Sequence, residues 1–420
     1  MAAESLKCRE CSATYPLDAR YVCERCFGPL EVAYASLDGT DAESLRRRIQ
    51  AGPQSIWRYA DFLPLATPPA QFGRDSARLG LPAGCTPLIR ADRLAERIGF
   101  DGELWVKNDA ANPTHSFKDR VVSVASARAA ELGFEVLACA STGNLANAVA
   151  AQAAALGLES YVFIPHDLEE QKILGTGVYG TNLVKVRGNY DDVNRLCVEL
   201  SGEKEGWAFV NVNMRPYYAE GSKTISFEIA EELGWETPDR IVAPIASGSL
   251  FTKIAKGFQE WLDCGLITGS VPIMNGAQAS GCSPVATAFA AGSDVCRPVK
   301  PDTIAKSLAI GNPADGPYAL DLARTTAGGI DAVTDDEIRH GIKLLAETTG
   351  VFTETAGGVT TATLAKLAER GDLVSGERVV LVITGEGLKT LDAVRGTFES
   401  YEVDPNYASF EQHVTQAVEV

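Results

Sequence analysis

VLACASTGNLANAVAAQAAALG, residues 136–157, reads as a strand, a polar turn and a helix in immediate succession. Val136 to Ala140 is an apolar run of strand length. Leu145 to Leu156 is an alanine-rich helical run that Gly157 stops. Between them Ser141-Thr142-Gly143-Asn144 offers two hydroxyls, an amide and backbone N–H groups at a helix N-terminus. Such a turn can hold a carboxylate or a phosphate, and an ordinary N-cap uses the same residue types. A strand feeding a helix through a short polar turn is one unit of an open α/β sheet, whose ligands lie at strand ends.

The same alternation extends in both directions. Leu104-Trp105-Val106, Tyr161 to Ile164, Leu183 to Val186 and Ala208 to Val212 read as strands. Helices are expected from Tyr190 to about Ser201 and over Thr224 to Leu233. Ile241 to Ile245 and Val379 to Ile383 are wholly apolar, as strands covered on both faces should be. Thr334-Asp335-Asp336-Glu337 has the form of a capping box opening a helix to Thr349. The fold class is therefore α/β, with open, mostly parallel sheets flanked by helices. Residues 41–85 read as a linker and lead-in, punctuated by Pro64, Pro68, Pro69 and Pro82, with Arg46 to Arg48 on a solvated helix face.

Residues 1–35 stand apart as a zinc-ribbon-like segment. Cys8 and Cys11 form one C-x-x-C pair and Cys23 and Cys26 a second, a spacing that suits a tetrahedral four-thiolate zinc site. Four unpaired thiols are the plainer reading. A site of four thiolates leaves no open position, so any metal there is structural. The chain carries 38 Lys plus Arg against 55 Asp plus Glu, a net charge of −17, which disfavours nucleic acid or an anionic membrane as partner. The N-terminus lacks a signal-peptide pattern and no apolar run reaches membrane-spanning length, so a cytoplasmic location is expected. The remaining, scattered cysteines suit free thiols in a reducing compartment.

Three further features carry chemistry. Asn112 to Arg120, NPTHSFKDR, places Lys118 just before an apolar helical run. The helix dipole disfavours a cation there, and an amine with a lowered pKa attacks a carbonyl to form a Schiff base. Ala246-Ser247-Gly248-Ser249 closes the strand Ile241 to Ile245 and can cradle a phosphate, although it matches neither a Walker loop nor a dinucleotide fingerprint. Thr384-Gly385-Glu386-Gly387 follows the strand Val379 to Ile383 and puts a hydroxyl where it could meet a heteroaromatic nitrogen; a simple glycine turn is the alternative. A Schiff-base lysine, a phosphate cradle, a carboxylate loop and a strand-end hydroxyl together fit pyridoxal phosphate.

With NPTHSFKDR, STGNLANA from Ser141, NVNMRPYYAEGSKT from Asn211, AIGNPADG from Ala309, ETAGGVT from Glu354 and TGEGLKT from Thr384, the chain resembles the threonine synthases. These belong to the tryptophan-synthase-β-like, fold type II, pyridoxal phosphate enzymes. The resemblance covers residues 85 to 395 and implies two sheets in two bodies: a large cofactor-binding domain of residues 36–120 and 215–420, and a smaller, mobile inserted domain of residues 121–214. It implies Lys118 as Schiff-base lysine and catalytic base, and Asn144 at the cofactor's phenolic oxygen. Ser247, Gly248, Ser249 and Leu250 would hold the cofactor phosphate and Thr384 would face the ring nitrogen. Ser141 and Thr142 would bind the substrate carboxylate, and Asn213, Arg215 and Lys223 its phosphate. The implied reaction takes O-phospho-L-homoserine and water to L-threonine and phosphate, a lyase step of amino-acid biosynthesis. A threonine dehydratase or a cysteate synthase is the alternative within the cofactor class, and a homo-oligomer is compatible with either. The sequence departs from the common pattern in four places. ASGSL replaces a Gly- and Asn-rich phosphate loop, and His115 stands where glycine is common. Glu386 replaces a histidine, and Tyr217 and Tyr218 lie where an arginine is usual.

Overall fold

The computed structural model describes residues 3–35, 41–66, 79–141, 143–166, 170–188 and 190–415; Thr142 lies outside them. A small antiparallel sheet joins β1 (Ala3–Cys8), β2 (Thr14–Tyr15) and β3 (Leu30–Tyr34) in the order β2-β1-β3. The chain then forms β4 (Leu88–Arg90) and β5 (Glu103–Asn108), and next β6 (Val136–Ala140), β7 (Glu159–Pro165), β8 (Asn182–Val186) and β9 (Trp207–Phe209). It ends with β10 (Arg240–Pro244), β11 (Ile273–Ala279), β12 (Ile330–Val333) and β13 (Arg378–Ile383). The six-stranded sheet has the order β12-β11-β10-β13-β5-β4, parallel but for the edge pair β4–β5. The four-stranded sheet, β8-β7-β6-β9, is wholly parallel.

Local signals place most elements. Val136–Ala140 is the strand expected, buried along its whole length, and Gly157 ends the helix Asn144–Leu156 with a left-handed φ of 68°. The Thr334–Glu337 capping box is present and the helix runs Asp335–Thr349. β10 and β13 are covered on both faces along the apolar runs that follow their first residues, Arg240 and Arg378, as such runs require.

Two expectations need correction. Residues 41–85 are more than a lead-in: Tyr59 and Phe62 are fully buried and pack on Phe227 and Trp261, which stack at 4.6 Å. Large aromatic side chains contribute about 1.5–3 kcal/mol each when removed from water, enough to anchor this segment to the body. Arg46 is correspondingly not simply solvated; it donates to the Leu266 carbonyl at 2.6 and 2.8 Å. The second correction is β9, which stops at Phe209 and not at Val212. Asn213 turns the chain there, its Oδ1 accepting the Phe209 N–H at 2.9 Å and its Nδ2 donating to the Trp207 carbonyl at 3.1 Å.

Candidate active site

β5, β13 and β10 are neighbours running in one direction, so the turns that follow them meet at one edge of the large sheet. The turn after β13 is stapled to the NPTHSFKDR segment. Phe117 N–H donates to the Thr384 carbonyl at 3.0 Å, Glu386 N–H donates to the His115 carbonyl at 3.1 Å, and Ser116 and Gly385 form a bridge. His115 takes φ 62°, a left-handed conformation that explains why glycine suits this position. Asp119 closes the same turn by accepting from the N–H and hydroxyl of Thr114, each at 2.7 Å.

Lys118 begins the helix Lys118–Glu131. Its Nζ lies 2.9 Å from the Tyr218 hydroxyl and 4.4 Å from the centre of the Phe117 ring. These aromatic surroundings strip water from the amine and push its pKa down to about 8, against the opposing pull of Glu354. Below pH 8 the amine is mostly protonated and above it mostly neutral. Capture of pyridoxal phosphate by the cofactor-free protein should therefore accelerate as pH rises to about 8 and level off there. A stopped-flow rate profile that keeps climbing to the ordinary lysine range would contradict this.

Asn144 is held by two residues that the sequence alone did not single out. Its Nδ2 donates to both carboxylate oxygens of Glu354 at 3.0 and 3.1 Å, and its Oδ1 accepts from Lys389 Nζ at 2.8 Å. Glu354 is buried, which raises its pKa, and its backbone N–H donates to the Gly385 carbonyl at 3.0 Å. A Cβ on Gly385 would stand 2.4 Å from Glu354 Oε1, so any larger residue there would push that carboxylate off Asn144. Glu354 and Lys389 both lie inside motifs quoted above, ETAGGVT and TGEGLKT. The signal available was a charge set among glycines, without any hint of its partner.

The Ser247 turn opens the helix Ser249–Asp263. Gly248 has φ 96°, and a Cβ there would meet the Asp315 carbonyl oxygen at 2.7 Å. Asp315 N–H donates to the Ser247 carbonyl at 2.8 Å. In the smaller sheet Ser141 follows β6, its Oγ accepting the Gly143 N–H at 3.3 Å.

The residues expected at a substrate phosphate separate. Lys223 is fully buried and its Nζ pairs with Glu220 at 2.7 Å and Glu260 at 2.8 Å. Glu220 also pairs with Lys253 and Lys256, each at 2.9 Å, so Lys223 belongs to a buried structural cluster of lysines and carboxylates whose disruption is costly. Asn213 is spent on the backbone of its own turn, as described above. Arg215 is half-buried and donates to Asp315 at 2.8 Å, beside the Ser247 turn. Tyr217 and Tyr218 also divide: Tyr217 donates to the Asp18 carbonyl at 2.9 Å, while Tyr218 reaches Lys118.

These residues fit pyridoxal phosphate. An amine with a lowered pKa is available to its aldehyde, and the Ser247 turn presents the N-terminus of the helix Ser249–Asp263 to its phosphate. Ser116 Oγ and Thr355 Oγ1, next to Lys118 and Glu354 in sequence, are buried without a hydrogen-bond partner. Among the described residues no helix is long and apolar enough to cross a membrane.

Comparison with known proteins agrees. Residues 79–385 match the family model described as "Pyridoxal-phosphate dependent enzyme". The threonine synthase of Methanocaldococcus jannaschii is 39% identical over 405 residues, 95% of this chain and 96% of that one. The threonine synthase of Methanosarcina acetivorans is 38% identical over 387 residues, 91% and 92% of the two chains. Among solved structures, the processed form of threonine deaminase isoform 2 from Solanum lycopersicum superposes with a TM-score of 0.62 at 19% identity. It covers 87% of this chain and 96% of its own. Maize serine racemase gives 0.60 at 20%, covering 72% and 89%. These two likenesses establish the fold. The extended sequence identity, together with the family model matched over residues 79–385, shows that this chain belongs to the threonine synthase family of pyridoxal-phosphate dependent lyases.

Proposed function

We propose that the chain converts O-phospho-L-homoserine and water to L-threonine and phosphate. The observation that carries this reading is the desolvated Lys118 amine, held by Tyr218 at a sheet edge where the anion-binding turns converge. Bound pyridoxal phosphate supplies the electron sink that stabilises negative charge on substrate carbon. Lys118 Nζ takes the α-proton and, once it has passed that on, a β-proton as the γ-phosphate leaves. The two protons return to the γ-carbon and the α-carbon, and water adds its hydroxyl at the β-carbon while its remaining proton goes to the departing phosphate. The Tyr218 hydroxyl keeps this amine within reach of both carbons between transfers. Asn144, Ser247, Gly248, Ser249, Leu250 and Thr384 are the residues we assign to the cofactor.

Ser141 and the N-terminus of the helix Asn144–Leu156 are assigned to the substrate carboxylate, with Thr142 outside the described residues. Of the three phosphate candidates we retain Arg215, whose guanidinium would exchange Asp315 for the substrate's phosphate. A planar fork suits either anion. Arg215→Leu should raise KM for phosphohomoserine about tenfold to a hundredfold while lowering kcat less, as loss of a ground-state contact does. A fall in kcat with KM unchanged would remove Arg215 from this role. The four-stranded sheet is the natural candidate for the smaller body, residues 121–214, whose closure would keep water out until it is needed.

Assay of the purified protein with phosphohomoserine, phosphoserine plus sulfite, and threonine in parallel tests the substrate. Threonine and phosphate in equal amounts from the first is expected. Cysteate from the second, or 2-oxobutyrate from the third, without threonine from the first, would reassign the chain to the neighbouring chemistry.

Zinc at the N-terminal segment belongs to the same proposal. The thiol sulfurs of Cys8, Cys11, Cys23 and Cys26 all lie within 4.8 Å of one another, Cys8–Cys26 and Cys11–Cys23 at 3.5 Å. Zinc–sulfur bonds of about 2.3 Å in a tetrahedron put sulfurs roughly 3.8 Å apart, so a small outward shift accommodates the ion. Both pairs are followed by a left-handed residue, Ser12 at φ 58° and Phe27 at φ 59°, giving two matching knuckles. One zinc per chain is expected by elemental analysis, falling to near zero in Cys8→Ser; a metal-free wild type would refute the assignment.

A further inference from the structure

Asn144 has a carboxamide, and a carboxamide can face either way. Only one orientation sends an N–H toward an anionic oxygen. In this chain the choice is made by two charged side chains far apart in sequence. Lys389 Nζ can only donate, and it stands 2.8 Å from one end of the amide. The Glu354 carboxylate oxygens stand 3.0 and 3.1 Å from the other end. The Asn144 oxygen therefore faces Lys389 and its nitrogen faces Glu354. An amide nitrogen has two hydrogens, and the two carboxylate oxygens, at nearly equal distances, can share one of them, which leaves the other for a ligand.

Lys389 is itself fixed. Its Nζ donates to the Thr114 carbonyl at 2.6 Å, within the turn that leads to Lys118. It sits in the short helical stretch Gly387–Val394, whose start is capped by Glu386 accepting the Leu388 N–H at 2.9 Å. The groups whose charge acts on it are Glu354, Asp119 and Glu386. One ammonium thus joins the Thr114 turn, the Asn144 helix start and the Thr384 turn, three of the segments that carry the site.

We propose that Lys389 is a positioning residue that locks the Asn144 amide so that its N–H points to the phenolic oxygen of bound pyridoxal phosphate. The inference rests on the assignment of Asn144 to that oxygen. A lysine that merely stapled loops together would stabilise the fold without caring which cofactor atom is present.

The test compares holoenzymes formed with pyridoxal phosphate and with 3-deoxypyridoxal phosphate, which lacks the phenolic oxygen. The readouts are the cofactor dissociation constant and the thermal midpoint. Lys389→Met should weaken pyridoxal phosphate about tenfold, the equivalent of one charge-assisted hydrogen bond, and weaken the 3-deoxy cofactor less than twofold. Lys389→Arg should restore most of the loss. In an Asn144→Ala background Lys389→Met should add almost nothing, since the two residues act through one contact. An equal loss for both cofactors, full additivity, or a lowered midpoint with unchanged affinity would overturn the proposal. Should Asn144→Ala discriminate between the cofactors while Lys389→Met does not, the Lys389 inference alone falls. Should neither discriminate, the assignment of Asn144 falls and takes the inference with it.

Discussion

Replacing Lys118 by alanine is expected to lower threonine formation by about four orders of magnitude or more, with loss of the visible absorbance band of the bound cofactor. Proton transfer by a positioned base is worth roughly 10²–10⁴ in rate, and in the function proposed above the same Nζ would also tether the cofactor covalently. Both contributions vanish with one side chain, so the loss should exceed what removal of a base alone produces. Among the described residues, no other amine is hydrogen-bonded to Tyr218. Lys389 lies in the same site, but its ammonium is committed to Thr114 and Asn144 and cannot substitute. Steady-state phosphate release together with an absorbance spectrum checks the prediction. A variant that stays coloured and keeps more than about a hundredth of the wild-type rate would mean that another group performs the transfers.

Replacing Arg120 by leucine should destabilise the protein by about 3–5 kcal/mol, measured by urea unfolding at pH 7. Arg120 is two residues past Lys118 and fully buried. Its guanidinium forks onto Asp109 at 2.7 and 2.9 Å and onto Glu228 at 2.6 Å through two nitrogens. It also donates to Thr86 and Thr224 hydroxyls at 2.9 and 3.0 Å. Leucine fills much of the space but leaves two carboxylates buried. Glu228 keeps Lys107 at 2.9 Å and the Cys85 N–H at 2.7 Å, while Asp109 keeps the Thr86 hydroxyl at 2.7 Å but no cation among the described residues.

The pH dependence distinguishes this mechanism from lost packing. Burial pushes the Glu228 carboxyl up, but Arg120 and Lys107 more than offset it and hold the group well below the usual carboxylate range. A depressed pKa contributes stability above the ordinary carboxylate range that is lost as pH falls through it. The gap between wild type and Arg120→Leu should therefore be widest near neutrality and shrink below about pH 4. A gap that is constant with pH would point to packing alone.

Much of the architecture is legible in the sequence. The strands Val136–Ala140 and Val379–Ile383, the helix stop at Gly157 and the capping box at Thr334 are each encoded within a few residues, because hydrogen bonding and burial periodicity act at short range. The same holds for the cysteine pairs and for a lysine poised at a helix start. Strands β11 and β12 were missed because a segment such as IMNGAQA lacks an apolar run; burial between neighbouring strands makes it a strand.

The polar partners were not legible. Asn144 meets Glu354 and Lys389 across 210 and 245 residues, whereas Lys223 and Asn213, which stand in an apparent binding motif, are consumed by nearby carboxylates and backbone. A donor's type can be read from its residue, but whether it is free depends on which acceptors the packed chain brings within 3 Å and shields from water. The sequence thus determined the α/β class, the strand-end turns and the lysine. Only the tertiary structure decided which charged groups remain available to a ligand, because desolvation and pairing are properties of the assembled core and not of any one segment.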